Sequence, residues 1–170
     1  SQILSYPETF FVFRGEICTA DTHYRKRVTL DQKTKLKAEA IMNIYKFNVE
    51  AMLKTLEVKN RVPIIADQYE SPKKVAQYLR AYWKVPKGPI DDVTKIIEDN
   101  GVIIIPMDFG TDHIDGRTVV TNTGHPIIFI NSGIPGDRFR LTLCHELGHV
   151  ILHVNGTPAF AKDEETEAFS

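Results

Sequence analysis

The 170-residue chain lacks several features that mark special classes of protein. It contains no run of ~18 apolar residues, the length that a membrane-spanning helix needs, and we expect no signal peptide. Its two cysteines, Cys18 and Cys144, lie far apart and do not form the pattern of a disulfide framework. Internal repeats and low-complexity stretches are also missing from the sequence. We therefore expect a cytoplasmic protein that has no membrane partner.

The chain also lacks an excess of charge of one sign, since its formal net charge is −1. Whole-chain electrostatics therefore do not indicate nucleic-acid binding. A basic cluster within 25–37 could contact phosphates, but it is more typical of a solvated helix start. Hydrophobic residues make up 42% of the chain, which is enough for the core of a compact domain.

One segment carries recognisable chemistry: His145-Glu146-Leu147-Gly148-His149, an H-E-x-x-H sequence. Histidines four residues apart lie on one face of a helix, where both imidazoles can reach the same metal ion. We therefore predict His145 and His149 as metal ligands, zinc as the cofactor, and Glu146 as the catalytic general base. The competing interpretation is a core helix with two buried histidines, which leaves Glu146 without a partner.

The residues around the motif predict a helix over 138–153 that ends near Asn155-Gly156. An apolar stripe follows the i, i+4, i+7, i+8 spacing through Leu143, Leu147, Val150 and Ile151. The two histidines lie on a different face, so one side of this helix is predicted to enter the core and the other to face a cleft. Cys144 is interpreted as a small core residue.

A catalytic zinc ion usually has three protein ligands, so a third residue is needed. His153 lies eight residues from His145, or ~12 Å along a helix axis, which is too far for one ion to bridge. Glu165 in the acidic C-terminal segment is a candidate, because Phe169 would share its helical face and direct it inward. An ordinary acidic helix start fits the same residues, and spacing alone does not decide between the two.

The motif and its flanks resemble the ImmA/IrrE-type metallopeptidases. Residues 138–153 are similar to that family's R-F-T-L-A-H-E-L-G-H-L-x-L-H signature. Residues 79–90 are similar to the L-R-x-x-W-x-L-P-x-G-P-I segment of its longer members. Ile114-Asp115-Gly116 and 126–131 occupy the places of its central hairpin. The resemblance extends over residues 60–170.

This resemblance implies an α+β fold, namely a minimal zincin-like core with a small β-sheet and an active-site helix, preceded by a long N-terminal helix. The implied domains are 1–59, an N-terminal linker with strands and the long helix, and 60–170, a metallopeptidase domain truncated at its C-terminus. Aligning Phe169 with the family's phenylalanine places Glu165 on the ligand glutamate, with Glu164 and Glu167 as alternatives.

The function that the resemblance implies is a zinc-dependent endopeptidase that cleaves a cytosolic regulatory or repressor protein, as part of a larger transcriptional regulator. The alternative is a catalytically silent metal-binding sensor or interaction domain of a DNA-binding regulator. The partner would be a peptide or protein substrate, and DNA would be bound only through a helix-turn-helix domain that this chain does not contain. A structural domain with an accidental motif is the third hypothesis.

The rest of the chain is predicted to alternate between helices and short strands. The predicted helices are 31–57, with Asp31 as N-cap and Leu36, Ala40, Ile44, Ala51 and Leu56 among its apolar positions, 71–83 and 90–99. The predicted strands lie within 3–17 and at 102–106, 114–121 and 126–131. We expect the strand at 127–131 to pair with an extended peptide at a sheet edge. His113 and His125 are candidates for further donors, although each is more typical of a surface turn.

Overall fold

The structure, a computed structural model, describes residues 31–63 and 71–153. In chain order, its elements are α1 (Gln32–Leu53), α2 (Pro72–Tyr82), α3 (Val93–Asp99), β1 (Ile103–Met107), β2 (Gly116–Val120), β3 (Pro126–Asn131) and α4 (Gly136–His153). These helices and the small mixed sheet confirm the predicted α+β class, with a long N-terminal helix and a C-terminal helix that carries the H-E-x-x-H motif. The strands predicted within 3–17 and the predicted helix around Glu165 lie outside the described residues.

The sheet has the strand order β1-β3-β2. β3 runs parallel to β1 and antiparallel to β2, so it is the central strand. All six of its residues are buried. The prediction that 127–131 form an open sheet edge is therefore wrong, because both sides of this strand already pair with neighbours. A continuous Ile-Ile-Phe-Ile run is instead typical of a strand that is covered on both faces.

Helices cover the two faces of the sheet. On one face, Ile128 and Ile130 of β3 join a core cluster with buried residues of α2, α3 and α4. On the other face, Ile127 and Phe129 join a second cluster that contains Ala38 and Met42 of α1. The alternation of β3 side chains thus connects two hydrophobic cores through one strand. The first of these cores holds α4 against the sheet.

Helix α1 presents a narrow face to its core. Asp31 caps the helix as predicted, since its carboxylate accepts from the Thr34 amide at 3.2 Å. The helix ends at Leu53, before the predicted end at residue 57. Its buried positions are Ala38, Met42 and Lys46, whereas Leu36 is 57% exposed. The i, i+4, i+8 spacing of the buried residues therefore sets the face that packs.

Lys46 is a lysine in a buried position, with 1% of its surface exposed. Its ammonium lies 3.6 Å from a carboxylate oxygen of Glu50 and 3.4 Å from the side-chain oxygen of Asn122. Glu50 also accepts from the Asn122 amide at 2.8 Å. Buried charges are tolerated when they are paired and hydrogen-bonded. This group ties α1 to the turn between β2 and β3.

The segment between α2 and α3 is held by arginine bonds to backbone carbonyls. Arg80 donates to the carbonyls of Pro86 and Gly88, the latter at 2.7 Å. Arg140 of α4 donates to the carbonyl of Ile90, which therefore lies in the turn rather than in the helix predicted to begin there. Helix α3 begins at Val93 instead. Arg80 thus holds the turn that follows α2, and Arg140 ties the end of this turn to α4.

Candidate metal centre

Helix α4 carries the two histidines of the H-E-x-x-H motif on a different face from its core contacts. The helix spans Gly136–His153, two residues longer at its start than predicted. The predicted stripe is buried, with relative exposures from 0% to 6% for Leu143, Leu147, Val150 and Ile151. Because these side chains pack into the core beside the sheet, the neighbouring face of the helix is fixed in direction. His145 and His149 lie on that face and are half-buried.

The two imidazoles converge on one point. The Nε2 atoms of His145 and His149 lie 3.1 Å apart, and the rings meet edge to face with centroids 4.6 Å apart. Two nitrogens at ~2.0–2.1 Å from one ion in tetrahedral geometry lie about 3.3 Å apart. The pair therefore fits two ligand positions of a single metal ion. A carboxylate oxygen of Glu146 lies within 4.8 Å of both ring nitrogens.

Glu146 is buried to 7% relative exposure, in contrast to the two histidines. Its Oε2 accepts a hydrogen bond from the hydroxyl of Thr118 at 2.8 Å. Thr118 lies on β2, which packs beside α4. The carboxylate therefore lies between the imidazole pair and the sheet.

The surroundings of Glu146 change its acidity. Burial, the largest cause, raises the pKa of the Glu146 carboxyl above its ordinary value. The hydrogen bond from Thr118 and the charge of Arg117 lower this pKa, while the charge of Asp115 raises it. A general base transfers protons best when its pKa lies near the working pH. A raised pKa thus suits the role that the sequence predicts for this residue.

The close approach of β2 to Glu146 depends on a glycine. A Cβ atom on Gly116 would lie 2.8 Å from Cγ2 of Thr142 and 3.0 Å from Cγ of Glu146. Both distances are shorter than ordinary van der Waals contacts, so a side chain at this position would push β2 away from α4. Gly116 and Thr118 are two residues apart and face the same side of the sheet.

A polar network fixes the loop that leads into β2. The buried side chain of Asn131, at the end of β3, donates to the carbonyls of Thr111 and Ile114 at 3.0 and 2.9 Å. The backbone amide of Asn131 donates to the carbonyl of Asp115 at 2.7 Å. These bonds hold the chain immediately before Gly116, and so they set where β2 begins beside the helix.

The other residues that the sequence singled out have different positions. Glu165 and its alternatives Glu164 and Glu167 lie outside the described residues. His113 is an exposed residue of the loop before β2. His125 belongs to the β2–β3 turn, at the far end of β2 from Gly116, with Nε2 3.0 Å from the carbonyl oxygen of Val58.

Cys144 is a half-buried free thiol that packs against the core cluster around α4. This position agrees with its interpretation as a small core residue. Burial raises the pKa of its thiol, and the positive charge of Arg140 lowers it. The raised pKa disfavours the thiolate, which is the form that binds metals and reacts.

Sequence reasoning missed Thr118 and Gly116 as functional neighbours of the motif. Both lie in the strand predicted at 114–121, where Gly116 has no predicted role beyond the resemblance to the family's hairpin. The available signal was the alternation within β2, where a glycine and a polar threonine occupy the face that packs on α4. Their distance from Glu146 along the chain made the contact itself unpredictable from local sequence.

A helix that carries H-E-x-x-H beside a small mixed sheet is the arrangement of a metallopeptidase-type domain. Residues 97–169 match the model of the family Peptidase_M78, described as the IrrE N-terminal-like domain, and this confirms the resemblance to the ImmA/IrrE-type metallopeptidases over these residues. No curated protein and no solved structure matches the chain. Among the described residues, no helix is both long enough and apolar enough to cross a membrane.

Proposed function

We propose that this protein is a zinc-dependent endopeptidase that cleaves a cytosolic regulatory or repressor protein as part of a larger transcriptional regulator. The observation that carries the proposal is the position of a buried carboxylate, Glu146, beside two imidazole nitrogens 3.1 Å apart. A helix with only a structural role does not need this combination. Burying a carboxyl group beside two histidines costs free energy and adds nothing to the packing of a core. The family match of residues 97–169 supports the same chemistry.

Zinc is the metal that the donor set favours. Two imidazole nitrogens and one carboxylate are a common ligand set of catalytic zinc. His145 and His149 would provide the nitrogens, and Glu165 would provide the carboxylate. Once bound, the ion would polarise the scissile carbonyl and lower the pKa of a bound water to about 7.

Glu146 would move the protons of the reaction. Its carboxylate would accept a proton from the attacking water and would then deliver it to the nitrogen of the leaving amine. The raised pKa of this carboxyl favours the first transfer, because a stronger base takes the proton from water more readily. Because the Thr118 hydroxyl donates to Oε2 of Glu146, Oε1 would be the oxygen that exchanges the proton.

An extended substrate would pair with the edge of the sheet beside the motif. Among the described strands, β2 pairs with β3 on one side only, and its residues Gly116 and Thr118 lie against α4. A peptide can extend such an edge through main-chain hydrogen bonds. We therefore propose β2, instead of the central strand β3, as the strand with which the peptide would pair. Its scissile bond would then lie next to Glu146.

The first experiment tests whether the protein cleaves a protein target. The full-length protein loaded with zinc is incubated with candidate cytosolic proteins, and products are identified by mass spectrometry. Glu146→Gln should abolish cleavage while retaining one zinc per chain, and Glu98→Gln, at an exposed position of α3, is the matched control. Cleavage that persists in Glu146→Gln would refute the mechanism. Stoichiometric zinc without cleavage of any protein would favour the sensor hypothesis.

A second experiment identifies the ligands. We expect His149→Ala and Glu165→Gln each to lower the zinc content well below one per chain. Glu164→Gln and Glu167→Gln are the matched controls, because each removes one carboxylate from the same segment. Loss of zinc in one of these controls, with retention in Glu165→Gln, would reassign the third ligand. Full zinc content in His149→Ala would refute the site.

A further inference from the structure

Thr118 makes a specific contact with the motif. Its side chain lies on the α4 face of β2, opposite Ile128 in the neighbouring strand. The hydroxyl lies 2.8 Å from Oε2 of Glu146 and 3.4 Å from that residue's backbone oxygen. Among the residues that the structure describes, Thr118 is the one hydrogen-bond donor to this carboxylate.

We propose that Thr118 is the positioning residue for the general base of this site. By holding Oε2, it fixes the rotation of the carboxylate and leaves Oε1 directed to the proton transfer. This inference rests on the proposed peptidase function, because it assigns Thr118 to the carboxylate that would act there. A misplacement of about 1 Å at a reacting group can slow catalysis roughly 100-fold.

The fold is built to make this contact. Gly116 removes the side chain that would separate β2 from α4, since a Cβ there would lie 3.0 Å from Cγ of Glu146. The strand can therefore approach until the Thr118 hydroxyl reaches the buried carboxylate. A valine at position 118 would have the same shape but would provide no donor. The carboxylate oxygen would then be buried without its hydrogen bond, which is costly for a charged group.

A hydroxyl is needed here for a reason other than strand packing. Thr118 is half-buried on a face where the other β2 residues are Gly116 and Val120. A β-branched apolar residue would fill the same position in a strand equally well. The polar atom is thus explained by its acceptor, Glu146, and by no other side chain in the described part of the chain.

The matched substitutions are Thr118→Val, Thr118→Ser and Thr142→Val. Thr142→Val is the control, because Thr142 is a buried threonine of α4 that lies beside the position of a Cβ on Gly116, while its hydroxyl makes no bond to Glu146. The substrate is the internally quenched decapeptide that zinc-loaded wild-type protein cleaves fastest in a randomised pool. Zinc per chain is measured for every variant, so that metal loss is separated from misplacement of the base.

We expect Thr118→Val to lower kcat about 10- to 100-fold, with KM within about twofold of wild type and zinc content unchanged. Thr118→Ser should restore kcat to within a few-fold of wild type, because it returns the hydroxyl. Thr142→Val should leave kcat unchanged. Equal kcat values for Thr118→Val and Thr142→Val, or no recovery in Thr118→Ser, would overturn the positioning role.

A second readout needs neither cleavage nor metal. Urea unfolding midpoints of the metal-free protein are measured for Thr118→Val, Glu146→Ala and the double variant. Thr118→Val should lower the midpoint of the wild type but should cause little shift when Glu146 is already absent. An equal shift in both backgrounds would refute the contact. Wild-type protein that cleaves no peptide would refute the proposed function, and this cycle would still decide whether Thr118 holds Glu146.

Discussion

The guanidinium of Arg138 forms a bidentate ion pair with the carboxylate of Asp115. Its Nε lies 3.0 Å from Oδ2 and its Nη2 lies 2.7 Å from Oδ1. Arg138 is in the first turn of α4, and Asp115 immediately precedes Gly116, the first residue of β2. The pair therefore joins the start of the motif helix to the start of the strand that contacts Glu146.

Replacing Arg138 by glutamine should destabilise the protein more than replacing Lys95, which belongs to a more exposed ion pair. The side chains of Arg138 and Asp115 are 48% and 20% exposed, against 69% and 61% for Lys95 and Asp99. Arg138→Gln should lower the free energy of unfolding by about 1 kcal/mol, and Lys95→Gln by a few tenths at most. Urea denaturation at low salt measures both. Equal losses would mean that the bidentate geometry adds no stability.

Gly116→Ala should destabilise the fold through a steric clash. Its new methyl group would lie 2.8 Å from Cγ2 of Thr142, within the packed interface of β2 and α4. Overpacking of this kind costs roughly 1–3 kcal/mol. Gly136→Ala is the control, since a Cβ there meets no atom within 4 Å. Thermal unfolding should show a lower midpoint for Gly116→Ala alone. A midpoint like that of the control would show that β2 moves aside freely.

Glu146→Gln should stabilise the metal-free protein at neutral pH. Burial raises the pKa of this carboxyl in the folded state, so the native protein binds its proton more tightly than the unfolded chain. The contribution of Glu146 to stability is therefore most favourable below the ordinary pKa of glutamate and is lost as the pH rises through the raised folded pKa. Glutamine removes this loss and can still accept from Thr118.

The measurement is urea unfolding of wild type and Glu146→Gln from pH 3 to pH 8 in the presence of a chelator. The difference between the two proteins should vanish at the acidic end and grow as the pH rises. A constant difference across this range would contradict the prediction, because it would show that ionisation of Glu146 is not involved.

Cys144 should react slowly with alkylating agents in the folded protein. Burial raises the pKa of its thiol, with Arg140 acting in the opposite direction, so little thiolate is present at neutral pH. In a Cys18→Ser variant, iodoacetamide should modify Cys144 at least about tenfold more slowly in the folded protein than in the urea-unfolded chain. Mass spectrometry of timed samples measures the rate. Similar rates in the two states would show that the thiol is accessible and ionised.

The motif helix could be predicted because its signals are local. The stripe through Leu143, Leu147 and Ile151 fixes the buried face, and the histidine spacing then fixes the ligand face. A few adjacent residues also determine two other predicted features, the N-cap at Asp31 and the helix end at Asn100-Gly101. Gly101 has a φ of 91°, which favours glycine.

Relationships between distant segments could not be predicted in the same way. The central position of β3 depends on which strands pair on either side of it, and a local pattern does not encode that choice. The burial of Lys46 could not be predicted, because its acceptor Asn122 lies 76 residues away in the sequence. The bond from Thr118 to Glu146 spans 28 residues and required the fold to be known.

The packing of helix α4 has a consequence for how the protein would respond to removal of the proposed zinc ion. The same helix that carries His145 and His149 places Leu143 and Val150, both 0% exposed, in the main core. Small zinc modules fold only when the ion closes their chain, since little else is buried. Here the helix is anchored by its apolar side, so chelation of the proposed zinc ion should stop the proposed cleavage without unfolding the protein. The loss of the proposed activity would then be reversible, because added zinc would bind to a protein that is still folded.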